Sequence, residues 1–362
     1  MSRPPDSPGA QPGKGAGAVA FRRERRTARL HDPRRAFALA EVESEIRYDP
    51  LTGESARICH FAPRSSPPPD LAALAEARRP SCPFCPERVG EVTPRFPDDL
   101  VPGGRFHRGE AVVFPNLFPY DDLSAIAVPG PAHLVSAADV PASLVVSGVA
   151  AARDFLRVVV PRLGTRDLHG LVTWNHMPPS GGTQVHPHLQ VVATSEPGNA
   201  LRRELAAEGE WLRARGGPFA ADLVAAEEGA GRLAGRLGPW TWFVPFAPTG
   251  VLGDCRAVLP GKSNVLELDD ADIASFAEGL RRALAFFAAR GSWSFNLTLF
   301  PDRFGATDGR HWLSARLLPR LYLDPVLHVP DASYLQLLLG ERFSMAWPEE
   351  VATGLRAEFS RA

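Results

Sequence analysis

The chain has 362 residues, enough to bury a large core and to form two domains or two packed halves. Hydrophobic residues make up 44% and charged residues 22%, with a formal net charge of −1, so no broad attraction to nucleic acid or to a membrane surface is implied. No apolar run reaches bilayer-spanning length, and the segment Met1 to Gly17 lacks the apolar centre of a signal peptide. Only four cysteines occur, two of them in one short motif, which fits a reducing cytoplasm.

In chain order, residues 1–30 are expected to be a disordered tail rich in Pro, Gly and Arg. Its cluster Arg22-Arg23-Glu24-Arg25-Arg26 reads as solvated rather than as an RNA or partner contact. Strands are expected at Ala111 to Asn116 and Ala125 to Val128, a helix over Val140 to Leu163, and strands at Leu171 to Trp174 and Val185 to Ala193. Leu201 to Arg215 reads as a helix with Glu and Arg outward. The plan then repeats: strands at Thr241 to Pro245 and Cys255 to Pro260, a helix over Asp269 to Ala289 started by Asp269 or Asp270, and strands at Ser294 to Phe300 and Leu313 to Leu318. The order implies an α+β fold of two similar halves, each an antiparallel sheet with helices packed on one side. The boundaries are drawn at 31–200 and 201–362. The tryptophans Trp240, Trp242, Trp293, Trp312 and Trp347 read as core.

Chemistry concentrates in two motifs. His186-Pro187-His188-Leu189-Gln190 follows a glycine-rich approach, Ser180-Gly181-Gly182-Thr183. On a strand, His186, His188 and Gln190 would form one polar row. Two imidazoles and an amide beside flexible glycines suit a phosphoryl group: one ring attacks phosphorus, and the amide and glycine backbone donate to its oxygens. The second motif, Cys82-Pro83-Phe84-Cys85, is half of a tetrahedral zinc site or a thioredoxin-like redox pair. A redox pair would need a strand before it and a helix after it. The flanks Arg79-Pro80-Ser81 and Pro86-Glu87-Arg88 read instead as an irregular knuckle.

Together with Arg47-Tyr48-Asp49-Pro50-Leu51-Thr52-Gly53, the Asn116 segment, Pro131-Ala132-His133 and Asn175, these motifs resemble the galactose-1-phosphate uridylyltransferase family of the histidine-triad superfamily, including its nucleotide-sugar phosphorylase relatives. The resemblance spans Arg47 to Phe359. It implies one structural zinc held by Cys82, Cys85, His133 and His186, with His188 as the nucleophile. It implies that Asn175, Gly181, Gly182, Thr183, Gln190 and Asn116 bind substrate, with an aromatic sandwich for the base possible around Asn116 to Tyr120. Glu204 matches a ligand of a second metal, but Ser314-Ala315-Arg316 and Thr298 stand where that metal's histidines fall, so no second metal is expected.

The chain departs from the family in two substrate-selecting regions. Only Arg64 stands near the family's early arginines, and Asp331 to Gln336 differs from its sugar-binding segment. His60 reads as a loop histidine, with a substitute zinc ligand as the alternative; His169 and His176 read as satisfied surface or loop groups, and His107, His311 and His328 have no companions at metal spacing. The resemblance implies a homodimeric nucleotidyltransferase that moves a nucleotide between a nucleotide sugar and a sugar 1-phosphate through a nucleotidyl-histidine, and the cysteine usage implies a cytoplasmic one. The alternatives are a nucleotide-sugar or dinucleoside-polyphosphate phosphorylase, and a zinc-stabilised nucleotide-binding protein without turnover.

Overall fold

The computed structural model describes residues 19–59, 69–164, 167–324 and 326–361. Strands β1 (Arg23–Asp32), β2 (Ala38–Tyr48) and β3 (Ser55–Cys59) open the chain. Helices α1 (Leu71–Arg78) and α2 (Pro86–Val92) flank the Cys82 knuckle. The first half continues with β4 (Phe106–Arg108), β5 (Ala111–Pro115), β6 (Leu123–Val128), α3 (Ala142–Val159), β7 (His169–His176) and β8 (Leu189–Thr194). After α4 (Asn199–Arg215) and α5 (Phe219–Gly229) the plan recurs as β9 (Leu233–Leu237), β10 (Trp240–Phe243), β11 (Cys255–Val258), α6 (Asp270–Ala289), β12 (Ser294–Phe300) and β13 (Ser314–Arg320). The last elements are β14 (Tyr322–Asp324), β15 (Val329–Pro330), α7 (Tyr334–Leu337), β16 (Arg342–Ser344) and α8 (Pro348–Phe359).

The two halves join edge to edge. One antiparallel sheet runs β4-β5-β6-β8-β7-β12-β13-β11-β10-β9, with β7 and β12 paired at its centre so that Asn175 faces Asn296. Alternation along these strands sorts the residues by face. Val172, Trp174, Leu297 and Leu299 enter the core with α3 and α6, whereas Thr173, Asn175, Asn296 and Thr298 are half-buried on the opposite face. The expected α+β architecture is thus observed. In the second half α5 also covers that opposite face, where Phe219 and Leu223 pack on Phe243 and Val258.

The core explains the helix positions. Asp269 caps α6, accepting the Asp272 N–H while the Asp272 carboxylate takes the Asp269 N–H. Phe276 of that helix stacks on Trp242, with ring centroids 5.6 Å apart. Gly279 leaves room for the indole, since a Cβ there would fall 2.4 Å from it. Burying each such aromatic contributes roughly 1.5–3 kcal/mol. Among the described residues no helix is long and apolar enough to cross a membrane.

The N-terminal reading needs correction. Residues 23–30 are part of β1, paired with β2 from Arg23↔Arg47 to Asp32↔Ala38. The strand has no apolar alternation; opposite charges meet across the ladder instead. Arg25 faces Glu45 and Arg29 faces Glu41, and opposite charges in such positions support pairing. The rest of that tail, residues 1–18, lies outside the described residues, as do His60 and Arg64.

Candidate active site and metal centre

The Cys82 knuckle is built by local geometry. Cys85 is the cap of α2, and Pro86 at the first helical position needs no N–H there. The Cys85 carbonyl accepts the Val89 N–H at 2.9 Å. His133 comes from the loop after β6 and His186 from the loop before β8. All four side chains are buried, and their ligand atoms lie within 4.8 Å of one another. Cys85 Sγ is 3.2 Å from His133 Nδ1, and both sulfurs are 3.8 Å from His186 Nδ1. Zn–S and Zn–N bonds of about 2.3 and 2.0 Å give tetrahedral edges of roughly 3.3–3.8 Å, which these spacings match.

The other ring nitrogens are held as donors. His133 Nε2 donates to the Ala75 carbonyl and His186 Nε2 to the Gly130 carbonyl, each at 2.9 Å. Both Nδ1 lone pairs therefore face the sulfurs. Burial pulls the His186 pKa down to about 4, which keeps the ring neutral. Burial, with Cys82 alongside, pushes the Cys85 thiol up to about 11. A dication at this point would reverse that penalty and hold the thiolates. The donor set could hold a metal ion, and its chemistry fits a closed four-ligand zinc site.

His188 does not lie on the strand expected to carry it on one face with His186 and Gln190. β8 begins at Leu189, and residues 185–188 are irregular. Pro187 has no N–H to offer the ladder, and His186 turns to the metal centre instead. The His188 ring is fixed by a donation from Nδ1 to the His186 carbonyl at 2.9 Å, which leaves Nε2 with a free lone pair. Burial lowers its pKa from the ordinary histidine value. Phe84, inside the knuckle, packs on the ring at 5.1 Å between centroids.

A cavity of about 330 Å³ lies beside His188. Asn116, Asn175, Gly181, Gly182, Thr183 and Gln190, the substrate-binding set read from the sequence, all line it. Tyr120, 70 residues from Gln190 in sequence, was not assigned this contact: its hydroxyl donates to Gln190 Oε1 at 2.8 Å. That bond leaves the Gln190 NH2 as the free donor. Met177 opens the glycine loop at φ 70°, an uncommon conformation for a residue with a side chain. A Cβ on Gly182 would sit 2.7 Å from the Asn175 carbonyl. Gly182→Ala is expected to cost about 1–3 kcal/mol of stability by overpacking. Thermal melts check the effect.

No family model matches the chain. An uncharacterised protein of Archaeoglobus fulgidus is 27% identical over 263 residues, 72% of this chain and 77% of that protein. ADP-glucose phosphorylase of Arabidopsis thaliana, solved with bound ADP-glucose, superposes at TM-score 0.65 and 17% identity, over 86% of this chain and 98% of that one. A uridylyltransferase mutant superposes at TM-score 0.64 and 20% identity, over 86% and 97% of the two chains. A GalT-like protein of A. thaliana gives TM-score 0.64 at 17% identity, over 86% and 98%. The chain has the fold of these proteins. The resemblance expected from the sequence is borne out at that level.

Within this fold the second half carries a different set of groups at the position of the histidine motif. The pairing of β12 with β13 sets Thr298 opposite Arg316, as β7 and β8 set Thr173 opposite Gln190. The Arg316 guanidinium is ion-paired with Glu204. Arg47 and Asp49 of the N-terminal motif also serve this half: Arg47 is buried against Glu45 and Glu349, and Asp49 accepts from Arg342 at 2.9 Å. His176 stacks on Phe295 in the interior, and His169 Nδ1 faces the Pro301 carbonyl.

His311 lies in the interior with its Nδ1 2.7 Å from Glu208. Burial works to lower its pKa, but Glu208 and the Phe300 carbonyl outweigh it and raise the value above the ordinary one. The stabilisation is therefore full below the unfolded value of about 6.5 and is lost as pH rises through the folded value. Glu208→Gln should flatten that loss, measured as denaturation midpoint against pH.

Proposed function

We propose that the protein is a nucleotidyltransferase acting on a nucleoside diphosphate sugar and a hexose 1-phosphate. The observation that carries this reading is the His188 ring: anchored through Nδ1 and kept neutral by burial, it offers Nε2 beside a nucleotide-sized cavity lined by amides and glycine backbone. In the first step Nε2 attacks the α-phosphorus. The bond to the bridging oxygen breaks, and sugar 1-phosphate departs with the electron pair. The nucleotide is left on His188 as a phosphoramidate, whose positively charged ring retains the Nδ1 proton held by the His186 carbonyl. A phosphate oxygen of the acceptor then attacks the same phosphorus and releases the ring. The amides of Gln190 and Asn175, with the Gly181 to Thr183 backbone, meet charge on the phosphoryl oxygens.

A zinc ion bound by Cys82, Cys85, His133 and His186 would supply structure rather than Lewis-acid chemistry, since four protein ligands leave no open position. His186 links that centre to His188, two residues on. The exposed Val326, Leu327, Leu337 and Leu338 support a homodimer as the working unit, which sedimentation equilibrium would check. Initial-rate kinetics test the transfer itself. Parallel double-reciprocal lines for nucleotide sugar and hexose 1-phosphate are expected, and intersecting lines would oppose the two-step route. Inorganic phosphate as acceptor would yield a nucleoside diphosphate in the same assay and identify a phosphorylase.

A further inference from the structure

The Asn175 amide is tied to a chain of hydrogen bonds that leaves the cavity and ends on a guanidinium. Asn296, its partner across β7 and β12, donates from Nδ2 to Asn175 Oδ1 at 2.7 Å and to the Ser180 carbonyl at 3.0 Å. Asn296 Oδ1 accepts from Arg320 Nη1 at 2.6 Å. Arg320 is held in turn by Asp331, with Nε 2.8 and 2.9 Å from the two carboxylate oxygens and Nη2 2.6 Å from Oδ1. Asp331 is almost fully buried, so the guanidinium is anchored from behind.

The direction of this chain is dictated by chemistry. A guanidinium has donors and no acceptor, so the Asn296 atom that meets it must be the carbonyl oxygen. The Asn296 NH2 then points the other way, where the Ser180 carbonyl can only accept. Asn175 must therefore turn its own Oδ1 to Asn296. Its NH2 is the group left for the cavity that it lines. An asparagine without such a constraint can rotate its amide by half a turn and offer either end.

We infer that Arg320 and Asn296 are positioning residues that hold the Asn175 amide as a hydrogen-bond donor toward the cavity, and so select a ligand group that only accepts, a phosphoryl oxygen. The inference rests on the nucleotidyl-transfer reading and deepens it. Tyr120 donates to Gln190 Oε1 and so also leaves an NH2 as the free end, but a hydroxyl can accept as well as donate, so only the Asn175 amide has its direction dictated by a donor-only group. Donors oriented in advance need no reorganisation when charge develops on the phosphoryl group.

Calorimetric titration of the full chain with UDP, ADP, GDP and dTDP, each beside its nucleoside, tests the relay. Asn296→Ala should weaken the preferred diphosphate roughly tenfold, the scale of one hydrogen bond to a charged group, and leave the nucleoside unchanged. In an Asn175→Ala background the same substitution should have no further effect, because the relay then has nothing to orient. Arg320→Lys, which keeps a donor-only cation, should retain affinity that Arg320→Met loses. Wild-type protein that binds none of the four diphosphates would overturn both the function and the relay. Normal wild-type binding would leave the function standing but overturn the relay under any of three results: unchanged affinity in Asn296→Ala, equal losses for diphosphate and nucleoside, or additive losses in the double variant.

Discussion

His188→Ala is expected to lower nucleotidyl transfer by roughly 10⁴-fold or more, because it removes the atom that would carry the nucleotide between the two steps. The substitution opens space beside Phe84 but leaves Cys82, Cys85, His133 and His186 in place. Metal content and melting temperature should therefore change little. Labelling by a nucleotide sugar carrying a radioactive α-phosphate separates the loss of the covalent step from a loss of binding. The variant should still bind nucleoside diphosphate, since Asn175, Gln190 and the glycine loop are intact. Retained turnover would show that another group attacks phosphorus.

The second large effect is expected at the metal centre. Cys82→Ser should abolish stoichiometric zinc, measured by elemental analysis, and cost several kcal/mol of stability. Closed zinc sites contribute on the order of 10 kcal/mol of binding free energy to the folded state in small domains. The loss should spread to the cavity. Phe84 lies between the two cysteines and packs on His188, and the His186 carbonyl that holds the His188 ring belongs to one of the four residues that could hold the ion. Chelation of the wild-type protein should give the same pattern, with zinc restoring it. Activity that survives complete metal loss with an unchanged melting curve would place the centre outside the architecture of the site.

Much of this was legible in the sequence where one element carried its own signal. Asp269 and Asp272 mark the start of α6, and the apolar faces of β5, β6, β7 and β12 are visible as short strand runs. The family resemblance carried by the Cys82 and His186 motifs and by Pro131-Ala132-His133 implied the four residues that the fold brings together. What was not legible depends on partners distant in sequence or on exceptions to periodicity. β1 is held by arginines facing glutamates, which reads as a polar tail until β2 is laid beside it. The strand expected from Val185 starts four residues later because Pro187 has no N–H for the ladder and the His186 ring turns to Cys82 and Cys85 instead. The Tyr120–Gln190 and Asn296–Asn175 bonds join residues 70 and 121 positions apart, and no local pattern announces them. Glu204 and Arg316 likewise form one ion pair that neither segment indicates alone.

The most direct test is the intact mass of the protein after mixing with UDP-, ADP-, GDP- and dTDP-sugars in the absence of any acceptor. One donor should add the mass of a single nucleotidyl group, a nucleoside monophosphate less one water, and the adduct should disappear when hexose 1-phosphate or phosphate is supplied. The adduct should be missing from His188→Ala, and the donor that forms it names the base. No mass increase with any donor, in protein whose zinc is intact and whose turnover of one of them is measurable, would contradict the nucleotidyl-histidine account.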